Sequence, residues 1–276
     1  MSVPRPTRVE IDLAALRHNF YEIQRTAGAG CDLLAVVKAD AYGHGMPEVA
    51  RRLLQAGVDA FAVANVAEAI RLREVGHEGD TLLLSPTLPD EVARAAENGF
   101  DLTINSLEEA KAFAAWGSSH GRKVRVHVKV DTGMGRAGVW HECAREVFAQ
   151  VLASPGLEWR GVYTHFSDAD ADTAYTSQQR RIFLDLLESI PAEVRAQLLI
   201  HADNSAGLES FSAAAPFNAV RIGLMQYGLP PSAGSFLASL KPDPVLSFHA
   251  RVVLVKDLPT GTAVSYNRTK TLSRPT

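Results

Sequence analysis

The sequence predicts an α/β fold: a (β/α)8 barrel of the TIM type followed by the start of a mostly-β domain. Three observations predict it. Short apolar runs alternate with amphipathic stretches of helical period, the pattern of parallel βαβ units. Eight such runs fall within about 200 residues, the number and length that suit a closed barrel. After about residue 230 the texture changes to Pro, Ser and Gly, and then to alternating apolar residues. A doubly wound open sheet shares the rhythm and stands as the structural alternative. No internal repeat decides between them.

The elements follow in order. Val9-Glu10-Ile11 leads into Asp12, a helix cap, and Leu13, Leu16, Phe20 and Ile23 recur at helical spacing up to a stop near Gly28-Ala29-Gly30. The predicted strands are 33–38, 60–64, 81–85, 101–105, 124–130, 160–165, 198–203 and 219–222. Their Val- and Leu-rich runs read as strands buried on both faces, as parallel strands are. Helices are predicted over 47–56, 66–75, 89–97, 106–116, 141–153 and 176–190, with Gly57, Gly76 and Gly99 closing three of them. Pro230, Pro231, Pro242 and Pro244 mark a linker-like passage. Residues 245–257 then alternate as a half-buried antiparallel strand does, Pro259-Thr260-Gly261 turns, and 262–269 returns as a second strand. Two domains are therefore expected: 1–230, the barrel with its N-terminal strand and helix, and 231–276, the incomplete beginning of a β-domain.

Bulk properties narrow the function. The chain has 276 residues, is 46% hydrophobic and carries a formal charge of −3. No basic stripe appears, so no nucleic-acid partner is expected. The N-terminus lacks a signal-peptide core and no apolar stretch is long enough to cross a bilayer, so no membrane association is expected. Cys31 and Cys143 share no metal-type spacing and read as small buried or half-buried residues, and no metal site is expected. These features suit a cytoplasmic enzyme, and a binding protein of the same size equally well.

The chemistry gathers at the predicted strand ends. The first run ends on Lys38, followed by a small, polar, glycine-containing loop at the C-terminal end of a strand, where α/β folds place their chemistry. A lone lysine there is ordinarily a solvated side chain. The whole string 35–45, AVVKADAYGHG, resembles the cofactor-lysine motif of the alanine racemases, pyridoxal 5'-phosphate (PLP) enzymes of fold type III. The resemblance implies that Lys38 holds PLP as a Schiff base and that the Tyr42 hydroxyl reaches the PLP phosphate. Partial burial would lower the lysine pKa enough for it to act as a base.

Three further stretches resemble the same family, and a fourth, the loop 201–207, suits the same cofactor by its residue types. VKVDTGMGRAG at 128–138 implies that Arg136 bonds the PLP ring hydroxyl and sits near the substrate carboxylate. It also implies that Lys129 carries a carbamate in some relatives, which would orient Arg136. GVYTHFS at 161–167 places His165 in the hydrogen-bond layer under the pyridine ring. HADNSAG at 201–207 ends a strand in a polar, small-residue loop where Asn204 and Ser205 would serve the cofactor, Ser205 at its phosphate. In AVRIGLMQYG at 219–228, Gly223 and Leu224 would give N–H groups to the phosphate, and Arg221 would face the pyridine nitrogen. Because arginine only donates, that nitrogen would stay unprotonated and the cofactor would be a weaker electron sink. Barrel phosphate sites favour the loops after strands seven and eight, so the bottom-up reading agrees.

AVSYNRT at 263–269 resembles the family's second-base motif, with Asn267 where the family usually has Gly. Racemisation needs a proton taken from one face of the α-carbon and returned to the other, which one base cannot do. Lys38 would serve the D-isomer face and Tyr266 the L-isomer face. In the family this tyrosine reaches the partner subunit's site, so a homodimer with shared sites is implied. The implied activity is interconversion of L- and D-alanine, supplying D-alanine for peptidoglycan. A serine-preferring racemase, or a PLP-binding barrel without turnover, are the alternatives. The chain reads as C-terminally truncated against the family, which would leave unpaired strand edges around 245–272 and reduce solubility.

Overall fold

A computed structural model describes residues 7–28, 30–169, 171–202, 217–229 and 240–276. The chain divides into two compact units. One is Ile11–Val245; the other joins Met1–Glu10 to Leu246–Thr276.

In chain order the first unit holds α1 (Leu13–Ala27), β2 (Asp32–Val36), α2 (Met46–Gln55), β3 (Ala60–Val63), α3 (Val66–Glu74), β4 (Asp80–Leu83), α4 (Val92–Glu97) and β5 (Leu102–Ile104). It continues with α5 (Leu107–Ser119), β6 (Val124–Asp131), the short β7 (Val139–Trp140), α6 (Ala144–Leu152), β8 (Leu157–Tyr163), α7 (Thr173–Leu187), α8 (Ala192–Arg195), β9 (Leu199–His201) and β10 (Ala219–Ile222). All eight predicted strands are present, shifted at their ends by up to three residues.

The strands run parallel in two arcs, β10-β2-β3-β4 and β5-β6-β8-β9. A parallel bridge between Leu82 and Asp101 joins them on one side. On the other, the Asn218 N–H donates to the Ile200 carbonyl (3.0 Å) and the Ile200 N–H to the Asn218 side chain (2.7 Å). The eight strands thus close into a barrel, which rejects the open-sheet alternative. The periodicity of β2 shows why. Leu33, Ala35 and Val37 belong to the large cluster under the helices, while Leu34 and Val36 line the lumen with Ala62, Leu82, Tyr163 and Ala219. Each face of the strand is apolar because each is buried.

α1 starts where Asp12 accepts the N–H groups of Ala14 (2.8 Å) and Ala15 (3.0 Å) and ends at Gly28, whose φ is +81°. Its Leu16, Phe20 and Ile23 are almost fully buried, each contributing about 1.5–3 kcal/mol of transfer free energy. Gly161 answers a different need. It lies opposite His127 beside a register shift, and a Cβ there would sit 2.3 Å from the His127 Nδ1.

The second unit departs from expectation. The strand expected over 245–257 is shorter: β11 (Leu246–Ala250) pairs with β1 (Thr7–Ile11). The run 251–258 carries no strand, and Val252, Val253, Leu254 and Val255 are exposed. The return strand expected over 262–269 is replaced by a two-residue ladder, β12 (Ala263–Val264) with β13 (Lys270–Thr271), around a turn of 3-10 helix at Tyr266–Arg268. Ser265, Asn267 and Arg268 have φ of +60°, +56° and +50°, which no extended strand allows. The same geometry suits Asn267, whose φ is +56°, since Asn tolerates the left-handed region better than most side chains. Cys31 is half-buried, but Cys143 is exposed rather than buried. No helix among the described residues is long and apolar enough to cross a membrane.

Candidate active site

β2 ends at Val36, and Lys38 does not close the strand but opens a turn, Lys38–Gly43. Ala39, Asp40, Ala41 and Tyr42 all adopt left-handed helical angles, with φ between 52° and 56°. Four such residues in a row, none of them glycine, cost about 1–2 kcal/mol each, on the order of 4–8 kcal/mol together. Such a conformation persists only where its surroundings over-determine it.

They do so here. The Ala39 N–H donates to Glu68 Oε1 (2.8 Å). Asp40 Oδ1 accepts from the Met46 N–H at the start of α2 (3.0 Å) and from Arg71 Nη2 (3.0 Å). Ala41 is fully buried. His44 Nδ1 reaches the carbonyls of Ala41 (2.9 Å) and Tyr42 (3.1 Å), and its ring packs on Tyr227 with centroids 4.5 Å apart. Gln226 Nε2 (2.9 Å) and the Tyr227 hydroxyl (3.1 Å) both donate to the Val36 carbonyl, which ends the strand.

The turn brings Lys38 and Tyr42 to the C-terminal end of the barrel. The Lys38 ammonium lies 6.0 Å from the Tyr42 ring centroid. Burial, then Arg136, and further on Arg221, push the Lys38 pKa down, while Glu68 opposes them. Tyr42 packs against Tyr227, and burial raises its pKa. A Cβ on Gly223 would fall 2.9 Å from the Tyr42 hydroxyl, so the hydroxyl and that stretch of backbone face each other closely.

Arg221, 4% exposed, organises the floor of the site. Its Nη1 donates to His201 Nδ1 (2.5 Å); its Nη2 donates to His165 Nδ1 (3.1 Å) and to the carbonyls of Thr164 (2.8 Å) and Ala202 (3.1 Å). A guanidinium cannot accept, so both Nδ1 atoms must. The two histidines therefore carry their protons on Nε2. The His201 Nε2–H then donates to His127 Nδ1 (3.3 Å), which places the His127 proton on Nε2 as well. Burial first, then neighbouring arginines, lowers His127 to about 3 and His165 to about 2, and drives His201 well below its ordinary value. The Tyr163 ring stacks on His201 at 4.6 Å and its hydroxyl donates to Thr103 Oγ1 (2.9 Å), whose own proton goes to the Leu83 carbonyl (2.6 Å).

Asp131 gathers the loop after β6. Its Oδ1 accepts from the N–H groups of Gly133 (2.9 Å) and Gly135 (3.1 Å), its Oδ2 from that of Arg136 (3.2 Å). The Arg136 side chain is left exposed. Lys129 is 6% exposed, with its ammonium 5.6 Å from the Tyr163 ring centroid. Burial, then Arg221 and Arg136, lower it to about 8. Four cations, Lys38, Lys129, Arg136 and Arg221, thus act on one another at the site, with Asp131 and Glu68 opposing. That excess positive charge suits an anionic ligand.

The structure therefore brings together Lys38, Tyr42, Lys129, Arg136, His165, Arg221 and Gly223. Leu224 is half exposed at the start of a 3-10 turn, Leu224–Tyr227. Asn204 and Ser205 lie outside the described residues. Tyr266 belongs to the other compact unit and is 92% exposed. Sequence reasoning missed His127, His201, Asp131 and Glu68. The signal for two of these is the inward alternation Arg125, His127, Lys129, Asp131 along β6, polar side chains at period two in a strand otherwise of valines. A cavity of about 440 Å³ opens at the opposite, N-terminal end of the barrel, lined by Asp32, Asp59, Asp80, Asp101 and Arg160. It lies away from the Lys38 cluster. Among the described residues no group of three or more His, Cys, Asp or Glu could hold a metal ion.

Residues 11–231 match the family described as alanine racemase, N-terminal domain. An alanine racemase from Citrifermentans bemidjiense is 41% identical over 271 residues, covering 96% of this chain and 71% of that protein. The crystal structure of the biosynthetic alanine racemase from Pseudomonas aeruginosa superimposes with a TM-score of 0.87 at 32% identity, covering 99% of this chain and 74% of the other. A histidine racemase from Leuconostoc mesenteroides matches with a TM-score of 0.80 at 28% identity, over 99% and 73%. The motif order, the closed barrel and these likenesses agree: the chain belongs to the alanine racemase family.

Proposed function

We propose that this chain binds PLP at Lys38 and interconverts L- and D-alanine by two-base proton transfer. The observation that carries the reading is the half-buried Lys38 amine, pushed below its ordinary pKa within a cluster of arginines. The residues present fit the group. Lys38 supplies an amine that sheds its proton more readily than a free lysine. The Tyr42 hydroxyl and the Gly223 backbone form a cleft that a Cβ would fill, suited to a phosphate with the N–H groups of Gly223 and Leu224. Asn204 and Ser205 would complete that cradle. Arg221 offers a fixed, donor-only guanidinium in place of a carboxylate.

Bound PLP supplies an electron sink that acidifies the α-hydrogen of an attached amino acid. The chain's residues do the rest. Arg221, backed by His165 and His201, is locked as a donor, so it leaves a facing ring nitrogen unprotonated and weakens the sink. Arg136 orients the ring hydroxyl and the substrate carboxylate; Lys129, held near pKa 8, is neutral often enough to take up CO2 as a carbamate and steady Arg136. Lys38 moves the α-proton on the D-isomer face. Tyr266 of the partner subunit moves it on the L-isomer face, so the working unit is a cytoplasmic homodimer, and its product is D-alanine for peptidoglycan. The barrel with its N-terminal strand and helix over 1–230 and the incomplete β-segment over 231–276 would act as separate domains.

The test is a chiral assay of the purified chain with PLP and L-alanine. D-alanine should accumulate, and Lys38→Ala should abolish it together with the visible absorbance of bound PLP. PLP binding without D-alanine favours the reading of a barrel without turnover. Faster exchange on serine than on alanine moves the substrate, not the chemistry.

A further inference from the structure

We propose that Glu68 is the positioning residue for Lys38, tying the peptide bond that follows the lysine to the C-terminal end of the neighbouring strand. This rests on the reading of Lys38 as the working amine. Glu68 is the third residue of α3. Its own N–H donates to the Asn65 side chain (3.0 Å), the ordinary cap of a helix start. Its carboxylate then does two things at once: Oε2 accepts the Ala64 N–H just past β3 (2.8 Å), and Oε1 accepts the Ala39 N–H across the strand boundary (2.8 Å).

A second helix in the same barrel shows that this reach is not a by-product of capping. Glu109 holds the equivalent place in α5, three residues after the cap Ser106, and its N–H donates to Ser106 Oγ (3.1 Å). Its Oε2 accepts the Asn105 N–H (2.7 Å) and the Asn105 side-chain Nδ2 (3.1 Å). Glu109 thus spends its carboxylate locally. Glu68 has a residue without a side-chain donor, Ala64, at that position, and sends its second oxygen to the residue after Lys38.

What it holds there is the first of four consecutive left-handed residues, a conformation that relaxes unless tethered. One turn further along α3, Arg71 grips Asp40, the next residue of that turn (3.0 Å). The start of α3 is therefore a brace with two contacts on the segment that aims Lys38. Among the described residues, the same carboxylate is the negative charge that opposes Arg136 and Arg221 at the Lys38 ammonium. Tether and charge come from a single side chain.

The experiment compares Glu68→Gln, Glu68→Asp and Glu109→Gln with the parent. The first readout is made without PLP: trace acetylation across a pH series, with the Lys38 peptide quantified by mass spectrometry. In E68Q the labelling midpoint of Lys38 should move to lower pH, because the carboxylate that opposes Arg136 and Arg221 is gone. E109Q should leave it in place, and E68D, which keeps the charge, should bring it back towards the parent. The second readout is PLP retention. E68Q should bind PLP about tenfold more weakly, the loss expected from one charged hydrogen bond. A Lys38 midpoint in E68Q that coincides with the parent and E109Q overturns the assignment, as does E68D behaving like E68Q. If the parent itself fails to bind PLP, the cofactor reading fails, while the labelling series still decides the role of Glu68.

Discussion

Acidification should weaken this barrel through its buried histidines, and replacing His127 measures by how much. His127 is 2% exposed, and its pKa is lowered to about 3 from an ordinary 6.5, first by burial. Between those values the unfolded chain binds a proton that the folded chain refuses. Stability therefore rises with pH up to about 6.5 and falls as pH drops below it. At pH 5 the unfolded-state value lies 1.5 units away, so the histidine costs about 2 kcal/mol at 1.36 kcal/mol per unit. That is a large share of the 5–15 kcal/mol typical of folded domains. His201 acts in the same sense. Asp101 acts in the opposite one: burial raises it to about 7, so the folded chain takes up its proton and gains stability as pH falls from 7 towards 4. The total pH curve mixes these, and the informative quantity is a difference between proteins. In His127→Gln the amide oxygen can still accept from the His201 Nε2–H but cannot titrate. Urea unfolding followed by tryptophan fluorescence at pH 7.5 and pH 5 should show the parent losing about 2 kcal/mol more than H127Q. Equal losses in the two proteins would refute the locked, neutral His127 and the tautomer chain that runs to it from Arg221.

Two further outcomes are expected, one from the left-handed turn after Lys38 and one from the proposed two-base proton transfer. Ala39→Gly should stabilise the chain by about 0.5–1 kcal/mol in urea unfolding, the relief of a left-handed alanine less the entropy that glycine adds to the unfolded state; an A39G chain less stable than the parent removes the strain assignment. Tyr266→Phe should lose α-proton exchange into solvent deuterium starting from L-alanine while retaining it from D-alanine, and equal loss from both enantiomers undoes the assignment of Lys38 and Tyr266 to opposite faces.

Much of the fold was legible because its signal is local. Both faces of β2 are apolar, and Leu13, Leu16, Phe20 and Ile23 sit at helical spacing, whatever else surrounds them. The motif residues were legible for a related reason: Lys38, His165 and Arg221 stand at or just past the ends of strands, and parallel strands deliver their ends to one rim. The β-segment was misread because alternation marks a strand without naming its partner. Residues 246–250 alternate as expected, but they pair with Thr7–Ile11 at the other end of the chain, which no pattern within 245–269 records.

The sequence by itself determined a parallel α/β barrel and a lysine, an arginine and a histidine at its C-terminal rim, since periodicity and strand ends are properties of short stretches of chain. Only the tertiary structure decided how those groups are held. The left-handed turn after Lys38 violates the local preferences of Ala39, Asp40, Ala41 and Tyr42, and it exists because Glu68, Arg71 and the start of α2 hold it from outside. Likewise, nothing in the order of residues puts a proton on the Nε2 of His127. That follows from a guanidinium on β10 reaching a ring on β9, and that ring reaching one on β6, contacts between strands 20 and 74 residues apart. A hydrogen-bond chain is settled by the direction in which each donor points, and direction belongs to the packed molecule.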